Sequence, residues 1–318
     1  MTSKTITRRR FLQTSAAALG LAGLPLASAA EGAAPQAAAA GTFKIGGDLA
    51  VCRMGFGAMR ITGPGIWGEP ADPVEARKLL RRAVDLGVNL IDTADAYGPE
   101  VSERLIGEAL YPYPKDLVIA TKGGLTRPSR ERWEHDGRPE HLRQACEASL
   151  RRLRLDRIDL YQLHAPDPKV PLADSIGELA RLQREGKVRH VGVSNFSVDE
   201  LKLARGIIEV VSVQNRYNVG DRRSEDVLRV CAADGLAFLP WAPLASPERE
   251  AGPSASIEAL GQLAKRRGVS VIQAALAWLL ARSPAILPIP GTSSVAHLEE
   301  NVAAAALRFT PEELARVG

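Results

Sequence analysis

Cysteine is scarce in this chain, and its spacing builds no framework. The 318 residues hold three, Cys52, Cys146 and Cys231, an odd number set far apart. That excludes a disulfide scaffold and a metal-ligand spacing, and leaves three small hydrophobes for a core. No apolar run after the first thirty residues is long enough to span a bilayer of about 20 helical residues, and no heptads mark a coiled coil, so a monomer is the default. Excess charge is missing too. The formal +4 comes from Lys4, Arg8, Arg9 and Arg10; without them 37 basic residues face 37 acidic ones. A nucleic-acid-binding surface is therefore excluded. Finally, no G-x-G-x-x-G follows the first strand-like run, so a dinucleotide-binding open sheet lacks its fingerprint.

What is present begins with a leader. Arg8-Arg9-Arg10-Phe11-Leu12 precedes an Ala- and Leu-rich run over residues 16–27, and Ala27-Ser28-Ala29 offers a small-residue cleavage site. This resembles a twin-arginine export signal, which implies residues 1–30 as a signal peptide, the export machinery as a partner and a periplasmic location, with no stable membrane anchor. A non-functional leader would leave the protein in the cytoplasm. Absence of disulfides fits a chain folded in a reducing compartment before export. Residues 31–40, rich in Ala, Pro and Gln, read as a disordered linker with nothing to pack.

The body, residues 41–318, alternates strand and helix signals. Strand-like runs fall at residues 54–59, 89–92, 117–122, 158–164, 190–195, 211–215, 237–242 and 285–290. Amphipathic helices fall between and after them at 73–86, 102–110, 140–153, 172–185, 198–205, 224–233, 257–267 and 296–306, with an extra one at 271–281. Pro73, Pro139 and Pro171 open helices, and Gly87, Gly186, Gly235 and Gly268 close them. Eight alternations predict one α/β domain, a (β/α)8 barrel of the usual size of about 250 residues. Residues 43–52, turning at Gly46-Gly47-Asp48, predict a hairpin that plugs the barrel's bottom.

Four polar residues end three consecutive strand-like runs: Asp92 and Tyr97 in NLIDTADAYG, Lys122 in LVIATK, and His164 in IDLYQLH. Strand C-termini are the catalytic face of such a barrel. Reducing a carbonyl needs a proton for the developing alkoxide, and a phenol with a pKa near 10 is a poor donor at neutral pH unless its anion is stabilised. A nearby ammonium does that, a carboxylate keeps the ammonium charged, and an imidazole orients the substrate oxygen. The grouping resembles the aldo-keto reductase superfamily, as does Gly55-Phe56-Gly57-Ala58-Met59, similar to its G-x-G-x-M. The resemblance implies Tyr97 as general acid, Lys122 as its modulator, Asp92 as the lysine's partner and His164 as orienter.

It also implies NADPH as cofactor, NADH not being excluded. Gly57 and Met59 fall at the cofactor. Ser194, Asn195 and Gln214 correspond to the residues that hold the nicotinamide carboxamide, and Trp241 to the ring stacked beneath it, with Pro243, Leu244 and Ile289 adjoining. Gly291, Thr292 and Ser293 precede a helix N-terminus, a natural anion site; His297 follows, and Glu300 and Asn301 match residues that reach the adenine. The chain departs from the family in having Gly291 and His297 where many members carry a lysine and an arginine that grip the 2′-phosphate. Ala242 stands where relatives often have serine.

Pocket walls in this fold come from the loops after the strands. Residues 61–71 offer Trp67, and residues 123–138 offer Arg127 and Trp133. The stretches GAMRITGPGIWG, YGPE and EALYPYPKDL resemble a bacterial branch of pyridoxal reductases and pyridoxine 4-dehydrogenases, which implies a small-molecule carbonyl substrate of pyridoxal's size. Two other classes fit the same frame: a non-catalytic NADP(H)-binding regulatory barrel, and an oxidative sugar or polyol dehydrogenase with a tightly held cofactor.

Overall fold

A computed structural model describes residues 36–244 and 255–318. Residues 1–35, where a leader and most of a linker are expected, and residues 245–254 lie outside the described residues.

The chain starts as an antiparallel hairpin, β1 (Thr42–Ile45) and β2 (Leu49–Cys52). Seven parallel strands follow in one sheet: β3 (Phe56–Gly57), β4 (Leu90–Asp92), β5 (Val118–Gly123), β8 (Ile158–Leu163), β9 (Val188–Ser194), β10 (Val210–Gln214) and β11 (Ala237–Phe238). The eighth run, residues 285–290, contains Pro288 and Pro290, which have no N–H to donate, so it forms no regular ladder. It closes the barrel nonetheless. Phe238 N donates to Ala285 O at 2.8 Å and Leu287 N to Phe238 O at 2.9 Å on one side; Gly55 N donates to Pro288 O at 3.0 Å and Gly57 N to Pro290 O at 3.2 Å on the other. Sequence-adjacent strands are neighbours throughout, as in a (β/α)8 barrel.

The period of two in each strand decides what faces the barrel axis. Leu90, Val118, Ala120, Leu160, Ala237, Leu239, Leu287 and Ile289 pack together inside, while Ile91, Ile119, Tyr161, Leu163, Val191 and Val193 face the helices. Ile45, Leu49 and Val51 of the hairpin join the inner cluster, which is how the bottom is plugged. Continuing the same parity upward puts Asp92, Lys122, Gln162 and His164 on the inner side at the top.

The outer layer is α1 (Pro73–Asp85), α2 (Val101–Leu110), α3 (Pro139–Leu153), α4 (Leu172–Arg184), α5 (Val198–Arg205), α6 (Glu225–Asp234), α7 (Ala255–Arg267), α8 (Val271–Arg282) and α9 (Val295–Ala303). Local chemistry fixes their ends. Asp72 caps α1 through the Val74 and Glu75 amides with Pro73 at its first position, and Gly235 stops α6 in the left-handed region at φ 71°. Among the described residues no helix is long and apolar enough to cross a membrane.

Several elements differ from the sequence-based expectation. Gln36–Ala40 form a 3-10 turn with Ala37 fully buried and its N–H bonded to Leu86 O at 3.0 Å, so this end of the presumed linker packs. The long loop after β5 is a hairpin, β6 (Leu125–Ser129) and β7 (Arg132–His135). A last helix, α10 (Pro311–Val317), is set by a Thr310/Glu313 capping box. Cys146 and Cys231 are buried, but Cys52 is only half-buried.

Candidate active site

At the top of the barrel a cavity of about 600 Å³ opens among the strand ends. Asp92, Tyr97, His164, Ser194, Gln214 and Trp241 all line it, with Lys122 sealed beneath.

Lys122 is the centre of the arrangement. Its ammonium donates to Asp92 Oδ2 at 2.7 Å and to Thr93 O at 2.8 Å, and lies 3.5 Å from the Tyr97 hydroxyl. The other Asp92 oxygen accepts from Gln214 Nε2 at 2.7 Å and Gln162 Nε2 at 3.2 Å. Removing a lysine–carboxylate pair from water costs several kcal/mol per ion unless further bonds satisfy it. These glutamines and the Thr93 carbonyl supply them. Burial works to lower the Lys122 pKa, but Asp92 and Tyr97 outweigh it and hold the ammonium above its usual value.

Tyr97 behaves differently from the expectation of an acidified phenol. Burial raises it above 10, and Lys122 only partly offsets this. The residue is thus a protonated donor across the neutral range, and the ammonium 3.5 Å away waits for the anion that proton transfer would leave. His164 is pushed well below its ordinary 6.5, first by burial and then by Lys122 and His135, so its imidazole is neutral. Its ring stands edge-on to Tyr97 at 5.8 Å, and its buried Nδ1 has no partner among the described residues.

Beside this group Asn195, at φ +61°, ties the wall together. Its amide donates to His164 O at 3.0 Å, and its oxygen accepts from Trp241 Nε1 at 2.9 Å. Trp241 continues the inward parity of Ala237 and Leu239 but stands half-buried at the mouth rather than in the core. Ser194 Oγ donates to Gln214 O at 2.7 Å. The positions expected at the cofactor divide in two. Gly57, Met59, Ser194, Asn195, Gln214, Trp241, Pro243, Leu244, Ile289 and Gly291 line the cavity; Thr292, Ser293, His297, Glu300 and Asn301 lie beyond it, on the segment into α9 and on that helix. There Ser293 and His297 are exposed, Glu300 is half-buried, and Asn301 is buried.

The cavity and the α9 end together suit a nicotinamide dinucleotide. Ser294 caps α9 without a side-chain bond, leaving first-turn amides for an anion, and the opposite end of the cleft offers a flat indole beside hydroxyl and amide groups.

Of the residues expected at the substrate, Trp133 lines the cavity, but Trp67 and Arg127 do not. The Arg127 guanidinium lies over both indoles, 3.8 Å from the Trp133 ring centre and 5.4 Å from that of Trp67, and the residue is buried. Sequence reasoning also missed Gln162, Arg60, Ile66, Leu125, Arg216 and Pro290. Inward parity with Leu160 would have found Gln162; Arg60 lies in a 3-10 turn at Ala58–Ile61 and Leu125 opens β6, while Ile66, Arg216 and Pro290 lie on irregular segments, and none of these five carries a periodic signal.

Residues 53–318 match the aldo/keto reductase family. The chain belongs to that family. It is 50% identical over 292 residues to an uncharacterized oxidoreductase of Schizosaccharomyces pombe, covering 92% of this chain and 94% of that protein. It is 42% identical to the pyridoxine 4-dehydrogenase of Escherichia coli over 86% of this chain and 96% of the relative. Among solved structures, the glycerol dehydrogenase of Gluconobacter oxydans superposes with a TM-score of 0.77 at 30% identity, over 87% and 94% of the two chains. An aldo-keto reductase of Klebsiella pneumoniae in complex with NADPH gives 0.73 at 28%, over 87% and 93%. This aldo/keto reductase is an NAD(P)H-dependent oxidoreductase built on a (β/α)8 barrel.

Proposed function

We propose that the chain reduces a small, flat aromatic aldehyde of pyridoxal's size with NADPH, and oxidises the matching alcohol in reverse. The observation that carries this reading is the Tyr97 hydroxyl 3.5 Å from a fully buried, Asp92-paired Lys122, at the floor of a cavity with Trp133 and Trp241 on its walls. The nicotinamide, when bound, supplies the hydride. Tyr97 gives its proton to the carbonyl oxygen, Lys122 stabilises the phenolate left behind, and Asp92 keeps Lys122 charged. Neutral His164 holds the oxygen in line by a hydrogen bond. Ser194, Asn195, Gln214 and Trp241 would hold the nicotinamide end of the cofactor, and the segment 291–294 with His297 would hold its phosphate.

The 42% relative's name supports the substrate class. The leader supports periplasmic work through its paired arginines and apolar run, and fractionation of expressing cells tests that location.

The decisive experiment follows NADPH oxidation with pyridoxal and a panel of aldehydes, for wild type and Tyr97→Phe. Loss of an acid–base group removes about 10²–10⁴-fold of rate, with NADPH binding retained. Turnover that survives in Tyr97→Phe overturns the proton assignment. Binding without turnover by the wild type moves the protein to the regulatory class.

A further inference from the structure

Among the described residues Arg127 forms no ion pair with a carboxylate. Its NH1 donates to Ile66 O at 3.0 Å, and its NH2 donates to Gly65 O at 3.2 Å and Arg130 O at 2.6 Å. Two of these carbonyls belong to the loop after β3 and one to the tip of the β6–β7 hairpin, so a single side chain joins two loops that meet over the cavity. It also lies over the rings of Trp67 and Trp133. Such cation–π contacts are strongest where water is excluded, as at this buried residue.

The third loop is tied in through Ile66. The Ile66 carbonyl also accepts from Gly98 N at 3.3 Å, Gly68 N donates to Gly98 O at 2.6 Å, and Trp67 pairs with Gly98 as an isolated parallel bridge. Gly98 directly follows Tyr97. Ile66 itself sits at φ +58°, a left-handed conformation that disfavours a β-branched residue, yet it lines the cavity. Strain of that kind persists only where neighbours over-determine it. Two donors on the Ile66 carbonyl do so here, and Arg127 is one of them.

At the other end of the clasp, Trp133 stands edge-on to Tyr97 at 6.5 Å and to His164 at 6.4 Å, with interplanar angles of 75° and 77°. Trp133 is 38% exposed, and its ring meets Arg127 on one side and the catalytic pair on another.

We infer that Arg127 is a positioning residue: by clasping the loops after β3 and β5 it holds Trp133 and Ile66 as a rigid wall beside Tyr97 and His164, and this wall selects a flat aromatic aldehyde over a short aliphatic one. The inference rests on the reading of this cavity as a carbonyl-reducing site. An aromatic substrate gains from a fixed ring beside it, whereas a three-carbon aldehyde reaches Tyr97 and His164 without touching the wall. Lysine cannot replace arginine here, because an ammonium does not lie flat over two indoles while serving three carbonyls.

The test compares wild type, Arg127→Met and Arg127→Lys, with pyridine-4-carboxaldehyde and propanal as substrates and with 5-fluorotryptophan incorporated at the four tryptophans. The Trp133 fluorine resonance is assigned by Trp133→Phe. In Arg127→Met, kcat/KM for the pyridine aldehyde falls by about tenfold or more, through KM, while propanal changes by less than about threefold. The Trp133 resonance shifts or broadens, and adding Trp133→Ala to Arg127→Met costs no further selectivity. Equal losses on both aldehydes, or a Trp133 resonance that stays in place, overturn the inference. If Arg127→Met does not fold, Arg127→Lys takes its place, and the same selectivity loss or its absence decides. If the wild type reduces neither aldehyde, the reductase reading fails instead, and the fluorine spectra still decide whether Arg127 holds Trp133.

Discussion

Gln214 donates its side-chain amide to Asp92 across the barrel at 2.7 Å. A side chain from β10, on the wall proposed to hold the cofactor, is therefore bonded to the carboxylate that keeps Lys122 charged. The wall and the proton-donating group share one hydrogen-bond network, and mutations on either side are coupled.

Removing the carboxylate charge with Asp92→Asn leaves the buried Lys122 ammonium without its counter-ion, a change that costs about 3–5 kcal/mol of stability. Gln214→Leu leaves that Asp92 oxygen with only the longer bond from Gln162, at 3.2 Å, and costs about 1–3 kcal/mol. Urea denaturation should rank the two in this order. Equal stability of Asp92→Asn and wild type would mean that Lys122 is neutral in the folded protein.

Burial holds His164 neutral well below its ordinary 6.5. Below that pH the unfolded chain binds a proton that the folded one refuses. The contribution is thus fully present above the unfolded value and is lost as the pH falls through the window below it, by up to about 1.4 kcal/mol per unit. His164→Gln should flatten this part of the stability–pH curve. Because Tyr97 is raised above 10, reductive kcat/KM should be level from about pH 6 to 9, with neither an imidazole nor a phenol limb.

Asp95 has the opposite sign. It is half-buried on the loop between Asp92 and Tyr97, its enclosed Oδ1 has no partner among the described residues, and its pKa is raised well above 3.8, first by loss of hydration and then by the charge of Glu103. Glu103 is itself buried but satisfied, by Thr121 Oγ1 at 2.5 Å and Arg152 Nε at 2.7 Å. A folded state that keeps the Asp95 proton while the unfolded chain releases it is favoured at low pH. That stability disappears as the pH rises from 3.8 through the folded value. Asp95→Asn mimics the protonated acid, so it should remove the slope and raise the urea midpoint at pH 8 relative to pH 5. A midpoint lowered equally at both would show that the carboxylate is needed where it stands.

Much of this was legible in the sequence, because a short apolar run marks a strand buried on both faces. Leu90–Asp92, Val118–Gly123 and Ile158–Leu163 are such runs, buried almost throughout, and Asp92, Lys122 and His164 stand at or just past their C-terminal ends, so the strands and the site emerge from one pattern. Where no such run exists, the sequence is a poor guide. Arg127 has the charge of a substrate-binding residue, and only the fold shows that two indoles and three carbonyls occupy it. The direction of the phenol's shift is hidden for a related reason: proximity to Lys122 is visible in the motif, whereas the depth of burial is not.

Gly291 looks at first like a lost phosphate-binding lysine. The backbone gives another reason for it: a Cβ at 291 would fall 2.6 Å from Gly57 O, and a Cβ at Gly57 would fall 2.6 Å from Ile289 O. The closing run of the barrel passes too near β3 for a side chain at either position, so Gly291→Lys should destabilise the barrel rather than restore a cofactor contact. His297 has no such constraint, being exposed in the first turn of α9. His297→Arg adds a guanidinium suited to a phosphate, each charge-assisted bond contributing about 1.5–3 kcal/mol. Titration of intrinsic fluorescence should show NADPH binding tightened by about tenfold or more while NADH changes little. Tightening of both to the same degree would place His297 at the pyrophosphate instead of the 2′-phosphate.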